Sequence, residues 1–271
     1  MHPNNSLSLL PVATVFFLIS LLTGNALAAA DLAREQRLAE QTVDAILDGD
    51  PVDLAAGEHT FLGIFMAAEH TPAKGAALIL HGRGTHPDWS QVANPLRTAL
   101  PADGWATLSL QMPVLAKDAK FYDYVAVFPD AIPRIDAGIN YLREHGFERI
   151  IMVSHSCGVH MSMAWLGARG DTDIAAYIGI GMGATDYKQP MRSPFPFDRL
   201  TVPFLNIHGS NDYPAVLRMS NEIETFICDM HPASRQVTVQ GADHYFDAYN
   251  EELSSAIINW LATLPAPPDS R

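Results

Sequence analysis

The sequence predicts an α/β fold, a doubly wound and mostly parallel sheet with helices on both faces. Three observations predict it. Strand-like and helix-like segments alternate from about residue 60 to the carboxyl end, the rhythm of strands joined by helical crossovers. The strand segments are near-continuous apolar runs, as in Ile150-Ile151-Met152-Val153, which suits strands buried on both sides. Polar residues beside glycines follow several of these runs, where such sheets collect their active groups.

Taken in order, Leu32, Leu38, Val43 and Ile46 fall on one face of a helix over 31–48. Strands follow at 61–67 and 76–80, then a helix over 89–100 that Pro101 and Gly104 terminate. A strand at 105–111 leads into an aromatic-rich loop at 113–128. A helix over 130–145 closes on Gly146, and the strand 149–153 feeds a turn into a helix over 156–168. Next come a strand at 174–180, a Gly- and Pro-rich loop at 181–199 and a strand at 202–208. A helix over 215–228, a strand at 236–239 and a helix over 249–264 complete the series, and 265–271 reads as a frayed tail. The loop at 181–199 is long for a connection and reads as a minimal lid, too short for a helical cap domain.

The chain has 271 residues, 48% hydrophobic and 17% charged, which fits one domain with a sizeable core. Its net charge of −13 argues against nucleic acid or an anionic membrane as a partner. Residues 7–22 are apolar and uncharged, and Ala26-Leu27-Ala28 follows as a small-x-small cleavage pattern. Residues 1–28 therefore read as a signal peptide. The apolar run is broken by Pro11 and is shorter than the roughly 20 residues a spanning helix needs, so no stable membrane insertion is expected after cleavage. The expected location is the periplasm or the exterior, with residues 29–271 as a single domain whose core runs from about 58 to 264. Cys157 and Cys228 are the two cysteines, and both are expected as buried free thiols.

Reading only the strand ends gives four polar clusters: His81-Gly82-Arg83-Gly84, the turn bearing Ser156, Gly209-Ser210-Asn211-Asp212 and Gly241-Ala242-Asp243-His244. Ser154-His155-Ser156-Cys157-Gly158 sits where a strand turns abruptly into a helix, a turn that needs small residues two positions either side of its serine. A serine hydroxyl is a weak nucleophile at neutral pH and needs a base within reach. His244 is the expected base, and Asp212 the expected carboxylate that orients it and stabilises the imidazolium. The backbone N–H groups of Cys157 and Arg83 are the expected oxyanion donors.

Strand placement, the order Ser, Asp, His, and the His-Gly before the first loop resemble the α/β-hydrolase superfamily from about Phe61 to Leu264. Within it the chain is similar to small secreted bacterial members of poorly defined function. Two positions depart from the pattern. Ser154 stands where glycine is usual, and Val159 follows Gly158 where a second small residue is common. The resemblance implies a serine hydrolase that cleaves a small-molecule acyl ester through an acyl-Ser156 intermediate. A peptidase or thioesterase would use the same residues, and a non-catalytic binding protein is the alternative.

Each residue also has a plainer reading. Ser156 is a natural helix N-cap, Asp212 a natural turn residue, and Asp186 a rival for the acid. His155 and His160 are five apart, off the spacing that aligns two ligands on a helix, and His81 and His86 lack further ligands. No metal is expected. Gly82-Arg83-Gly84 hints at a dinucleotide loop, but the next strand ends at Gln111-Met112-Pro113 without a ribose-binding carboxylate, so no cofactor is expected either. Arg83 is a candidate anchor for an anionic substrate group. Phe121, Tyr122, Tyr124 and Phe128 read as cover for the sheet.

Overall fold

The first two strands, β1 (Asp50–Ala56) and β2 (His59–Met66), form an antiparallel hairpin that turns at Gly57-Glu58, with Gly57 at φ +65. Six more strands complete the sheet of this computed structural model: β3 (Gly75–Leu80), β4 (Trp105–Leu110), β5 (Ile150–His155), β6 (Ala176–Ile180), β7 (Phe204–Gly209) and β8 (Arg235–Val239). Their order is β1-β2-β4-β3-β5-β6-β7-β8. β2 meets β4 antiparallel, and every pairing from β4 through β8 is parallel. The structure describes residues 30–185, 191 and 193–265. The expected signal peptide (1–28) and Asp186 lie outside the described residues.

Helices cover both faces. α4 (Ala131–Glu144) and α5 (Cys157–Arg169) pack on one face, where Leu78, Leu108, Ile150 and Met152 meet Ile135, Ile139, Val159 and Trp165. α2 (Ala93–Ala99) and α8 (Asn250–Leu261) pack on the other, against Ile79, Val153, Ile178 and Ile207. Alternate residues of one strand feed opposite cores because side chains point to opposite faces. Each fully buried Leu or Ile contributes about 1.5–3 kcal/mol. α6 (Pro214–Glu224) follows β7, α1 (Leu32–Ala45) precedes the hairpin, and α3 (Phe121–Tyr124) and α7 (Ile227–Met230) are short.

Several expectations change. The hairpin adds a strand upstream of residue 58, so the sheet begins before the expected core. The helix expected at 89–100 begins only at Ala93, because Val92 adopts φ +65 and no helix runs through it. The stretch 113–128 contains α3 and a following 3-10 turn rather than loop alone. Cys157 is buried as expected, whereas Cys228 is exposed on α7, and the two are not joined in a disulfide.

Candidate active site

After β3 the chain winds to β4 on one side, whereas β5 lies on the other side of β3 and continues to β8. The switch opens a crevice at the carboxyl ends of β3 and β5. Two of the four polar clusters flank it directly. The His81–Gly84 loop leaves β3, and Ser156 follows β5.

Ser156 sits between β5 and α5 at φ 55, ψ −117. Such a conformation is strained for a non-glycine residue and persists only where its surroundings enforce it. Its N–H donates to the Ile180 carbonyl at 2.9 Å. Behind it, a Cβ on Gly158 would lie 2.6 Å from the His81 carbonyl oxygen and 2.7 Å from that of Leu80. Helix α5 thus begins against the backbone of β3, and only glycine fits. Ser154 is fully buried in β5 between Leu80 and Gly179. Val159 is fully buried in the core.

His244 and Asp212 arrive from the loops after β8 and β7. The His244 Nε2 lies 2.8 Å from Ser156 Oγ, and its Nδ1 lies 2.7 Å from Asp212 Oδ1. An ionised Asp212 can only accept, so Nδ1 carries the proton and Nε2 offers its lone pair to the Ser156 hydroxyl. Asp212 Oδ1 also accepts the Tyr213 N–H at 2.7 Å. Both His244 and Asp212 are buried. Gly181, at φ +61, makes room for the imidazole, since a Cβ there would stand 2.7 Å from His244 Cε1. Tyr213 and Tyr245 flank the ring at 4.5 and 5.2 Å, their hydroxyls 3.2 Å apart. Burial pushes the Tyr213 hydroxyl pKa well up.

The His81–Gly84 loop lies against the serine: a Cβ on Gly82 would be 3.4 Å from Ser156 Cβ. His81 holds this loop. Its Nδ1 donates to the Gly82 carbonyl at 2.7 Å, and its Nε2 accepts the Met112 N–H at 2.9 Å. Burial drives the His81 pKa down to about 3, so the ring stays neutral in this role. Arg83 is exposed on the same loop and reaches the Ala119 carbonyl at 3.3 Å. Cys157, at the first position of α5, is buried beside Ser156.

A cavity of 510 Å³ opens on Ser156, with Trp89, Phe121, Tyr213, Tyr245 and Arg218 on its walls. Of the aromatic stretch, Phe121 lines this cavity, while Tyr124 is buried and its hydroxyl accepts the Leu115 N–H at 3.0 Å. His160 turns away from Ser156. It donates to the Ala184 carbonyl at 3.0 Å inside a ring of Phe121, Phe128 and Phe195. Among the described residues, no three His, Cys, Asp or Glu side chains converge as metal ligands, and no helix is long and apolar enough to cross a membrane.

Three contributors escaped the sequence reading. Arg34 of α1 donates to the Gly84 carbonyl at 2.8 Å and to that of Leu115. Thr42 of α1 pairs with His86 at 3.2 Å. The amino-terminal helix therefore braces the loop beside the serine from behind, a long-range contact that no local motif announces. The tyrosine pair around His244 follows Asp212 and His244 directly in sequence, and that adjacency was the available signal.

Residues 23–127 match a family described only as a protein of unknown function, DUF3530. No curated protein matches the sequence. Solved structures resemble it over about four fifths of the chain. An alpha-beta serine hydrolase homologue from Coxiella burnetii is 17% identical with a TM-score of 0.58, covering 79% of this chain and 98% of its own. A dienelactone hydrolase from Anabaena variabilis is 16% identical, with a TM-score of 0.61 over 79% and 97% of the two chains. An esterase from Pyrococcus furiosus is 14% identical, with a TM-score of 0.60 over 82% and 93%. At identities this low the likeness speaks for architecture, and that architecture is the α/β-hydrolase fold.

Proposed function

We propose that the protein is a serine hydrolase that cleaves small acyl esters through a covalent acyl-Ser156 intermediate. The observation that carries this reading is the chain of hydrogen bonds from Ser156 Oγ through His244 to Asp212. The esterase and hydrolases of similar fold support it.

In the first half-reaction His244 Nε2 takes the Ser156 proton as Oγ bonds to the acyl carbon. Asp212 stabilises the imidazolium through Nδ1–H. The N–H groups of Cys157 and Arg83 stabilise the oxyanion, where one such donor is worth about 3 kcal/mol of barrier. As the tetrahedral species collapses, His244 returns the proton to the departing alkoxide. Water, deprotonated by the same Nε2, then attacks the acyl carbon, and collapse breaks its bond to Ser156 Oγ, which takes the proton back from His244 as the acid leaves. The open cavity and its aromatic walls favour small or flexible esters over long lipid chains.

A fluorophosphonate probe should label the wild type and fail on Ser156→Ala, with kcat on short p-nitrophenyl esters falling roughly 10⁶-fold. Persistent labelling of Ser156→Ala would overturn the assignment. A folded wild type that neither labels nor turns over esters would instead mark a binding protein of the same fold.

We also propose export, on the apolar segment and the Ala26-Leu27-Ala28 pattern. The exported protein should begin at Ala29, and detection of an intact Met1 in the exported fraction would refute cleavage there.

A further inference from the structure

We propose that His155 is a positioning residue, the peg that fixes the His244 loop and the His81–Gly84 loop in register on either side of Ser156. This rests on the reading of Ser156, His244 and Asp212 as the reacting set. His155 ends β5 one residue before the nucleophile, and its side chain is buried on the face where the His244 loop lies.

Its Nε2 donates to the backbone carbonyl of His244 at 3.0 Å. The ring stands 5.1 Å from the His244 imidazole and 6.4 Å from Tyr245. On its other flank it meets the loop after β3, since a Cβ on Gly82 would sit 3.2 Å from His155 Nδ1. One side chain therefore touches both loops whose spacing sets the nucleophile, its base and its oxyanion donors.

The His244 loop needs an external hold. Phe246 and Ala248 adopt φ 57 and 63, conformations that cost free energy and endure only when neighbours impose them. Asn211 N–H also pins this loop, through the Ala242 carbonyl at 2.9 Å. His155, however, is the residue that grips His244 itself while adjoining Ser156. Burial drives its pKa down to about 3, so it is a neutral imidazole with its proton committed to the His244 carbonyl.

The test compares His155→Phe, which keeps a ring but has no N–H, with His155→Gln, whose amide can still donate. Each is measured as kcat and KM per fluorophosphonate-titrated site on p-nitrophenyl acetate, across pH. For His155→Phe the expected loss is about 10²-fold in kcat, the penalty of a small misplacement, with KM little changed. The groups facing His244 are Ser156, Asp212, Tyr213, Tyr245 and His155. When the imidazole slips from Asp212 its cationic form is less stabilised, so the acid limb of kcat/KM moves to lower pH. His155→Gln should restore part of kcat and return the limb toward the wild type. A purely structural role would lower the number of titratable sites and leave the limb in place. Unchanged kcat per site with an unchanged limb in His155→Phe would overturn the proposal.

A second readout is independent of turnover. In a Ser156→Ala background, nuclear magnetic resonance should show the low-field His244 Nδ1 proton, and adding His155→Gln should shift it less than adding His155→Phe. Identical His244 spectra in all three proteins would also overturn the proposal, whereas wild-type esters left intact would count only against the hydrolase reading.

Discussion

The strand-end rim and the amino-terminal flank are held by different forces. At the rim, Ser156, Phe246 and Ala248 occupy the left-handed region, and buried imidazoles lock the loops through directed hydrogen bonds to backbone groups. On the flank, α1 leaves Leu32 and Val43 exposed, Leu47 is exposed just past its end, and the buried residues of the helix are Glu35 and Thr42, both polar. Glu35 pairs with Arg134 at 2.8 Å and accepts the Val114 N–H at 3.0 Å. Arg134 also donates to the Gln111 carbonyl at 3.0 Å and lies over the Phe61 ring. The rim is a strained arrangement imposed by close packing, and the flank is a helix docked by an ion pair. The two meet where Arg34 of α1 grips the Gly84 carbonyl. The lesson is that precision at the serine is drawn from the core, while the flank serves as a brace fastened at a few polar points.

The sharpest way to break that contrast is to unfasten the brace. Arg134 is 1% exposed and its Glu35 partner 7%, so Arg134→Ala leaves a buried carboxylate without its cation, a loss of about 3–5 kcal/mol. Urea unfolding at neutral pH measures it. Hydrogen exchange should show the loosening concentrated in α1 and β2. Replacing both partners by apolar residues of similar volume should recover much of the loss, because the desolvation of two charges disappears with them. If Arg134→Ala costs under about 1 kcal/mol, as an exposed pair would, then apolar packing rather than charge holds the flank.

The same division explains what the sequence disclosed. The rim was legible because each polar cluster follows a run of apolar residues and contains a glycine, and both signals are local. The backbone at Gly158 and the placement of Ser156, Asp212 and His244 after the ends of β5, β7 and β8 follow from that pattern. The flank was opaque. β1 opens with Asp50-Pro51 and places Asp53 between Val52 and Leu54, so its inward alternation is short and its proline suits only an edge strand. α1 has helical periodicity, yet what it docks against depends on Glu35 finding Arg134 far along the chain. Hydrogen bonds such as Arg34 to Gly84 span dozens of residues and leave no spacing to read. The roles of His155 and His160 were hidden for the same reason, since a buried imidazole is defined by the carbonyl it meets.

Those imidazoles give the smallest effect by which the contrast can be sharpened. Burial holds His81 and His155 down to about 3 and His160 to about 4, below the ordinary value near 6.5. Between about pH 4 and 6.5 the unfolded chain therefore binds protons that the folded protein refuses. More protons on the unfolded state mean stability that is full above about pH 6.5 and is lost as the pH falls. Each histidine contributes up to about 1.4 kcal/mol per pH unit across that window. His160 isolates one of them, because it stands a turn beyond Ser156 and, among the described residues, bonds the Ala184 carbonyl within its phenylalanine ring. His160→Gln keeps a donor for that carbonyl and does not titrate. Its stability at pH 7 should fall modestly, and its slope between pH 4 and 6.5 should flatten by about one proton. A slope identical to the wild type would mean that His160 accepts its proton without unfolding, and that this part of the molecule opens to water as readily as the flank.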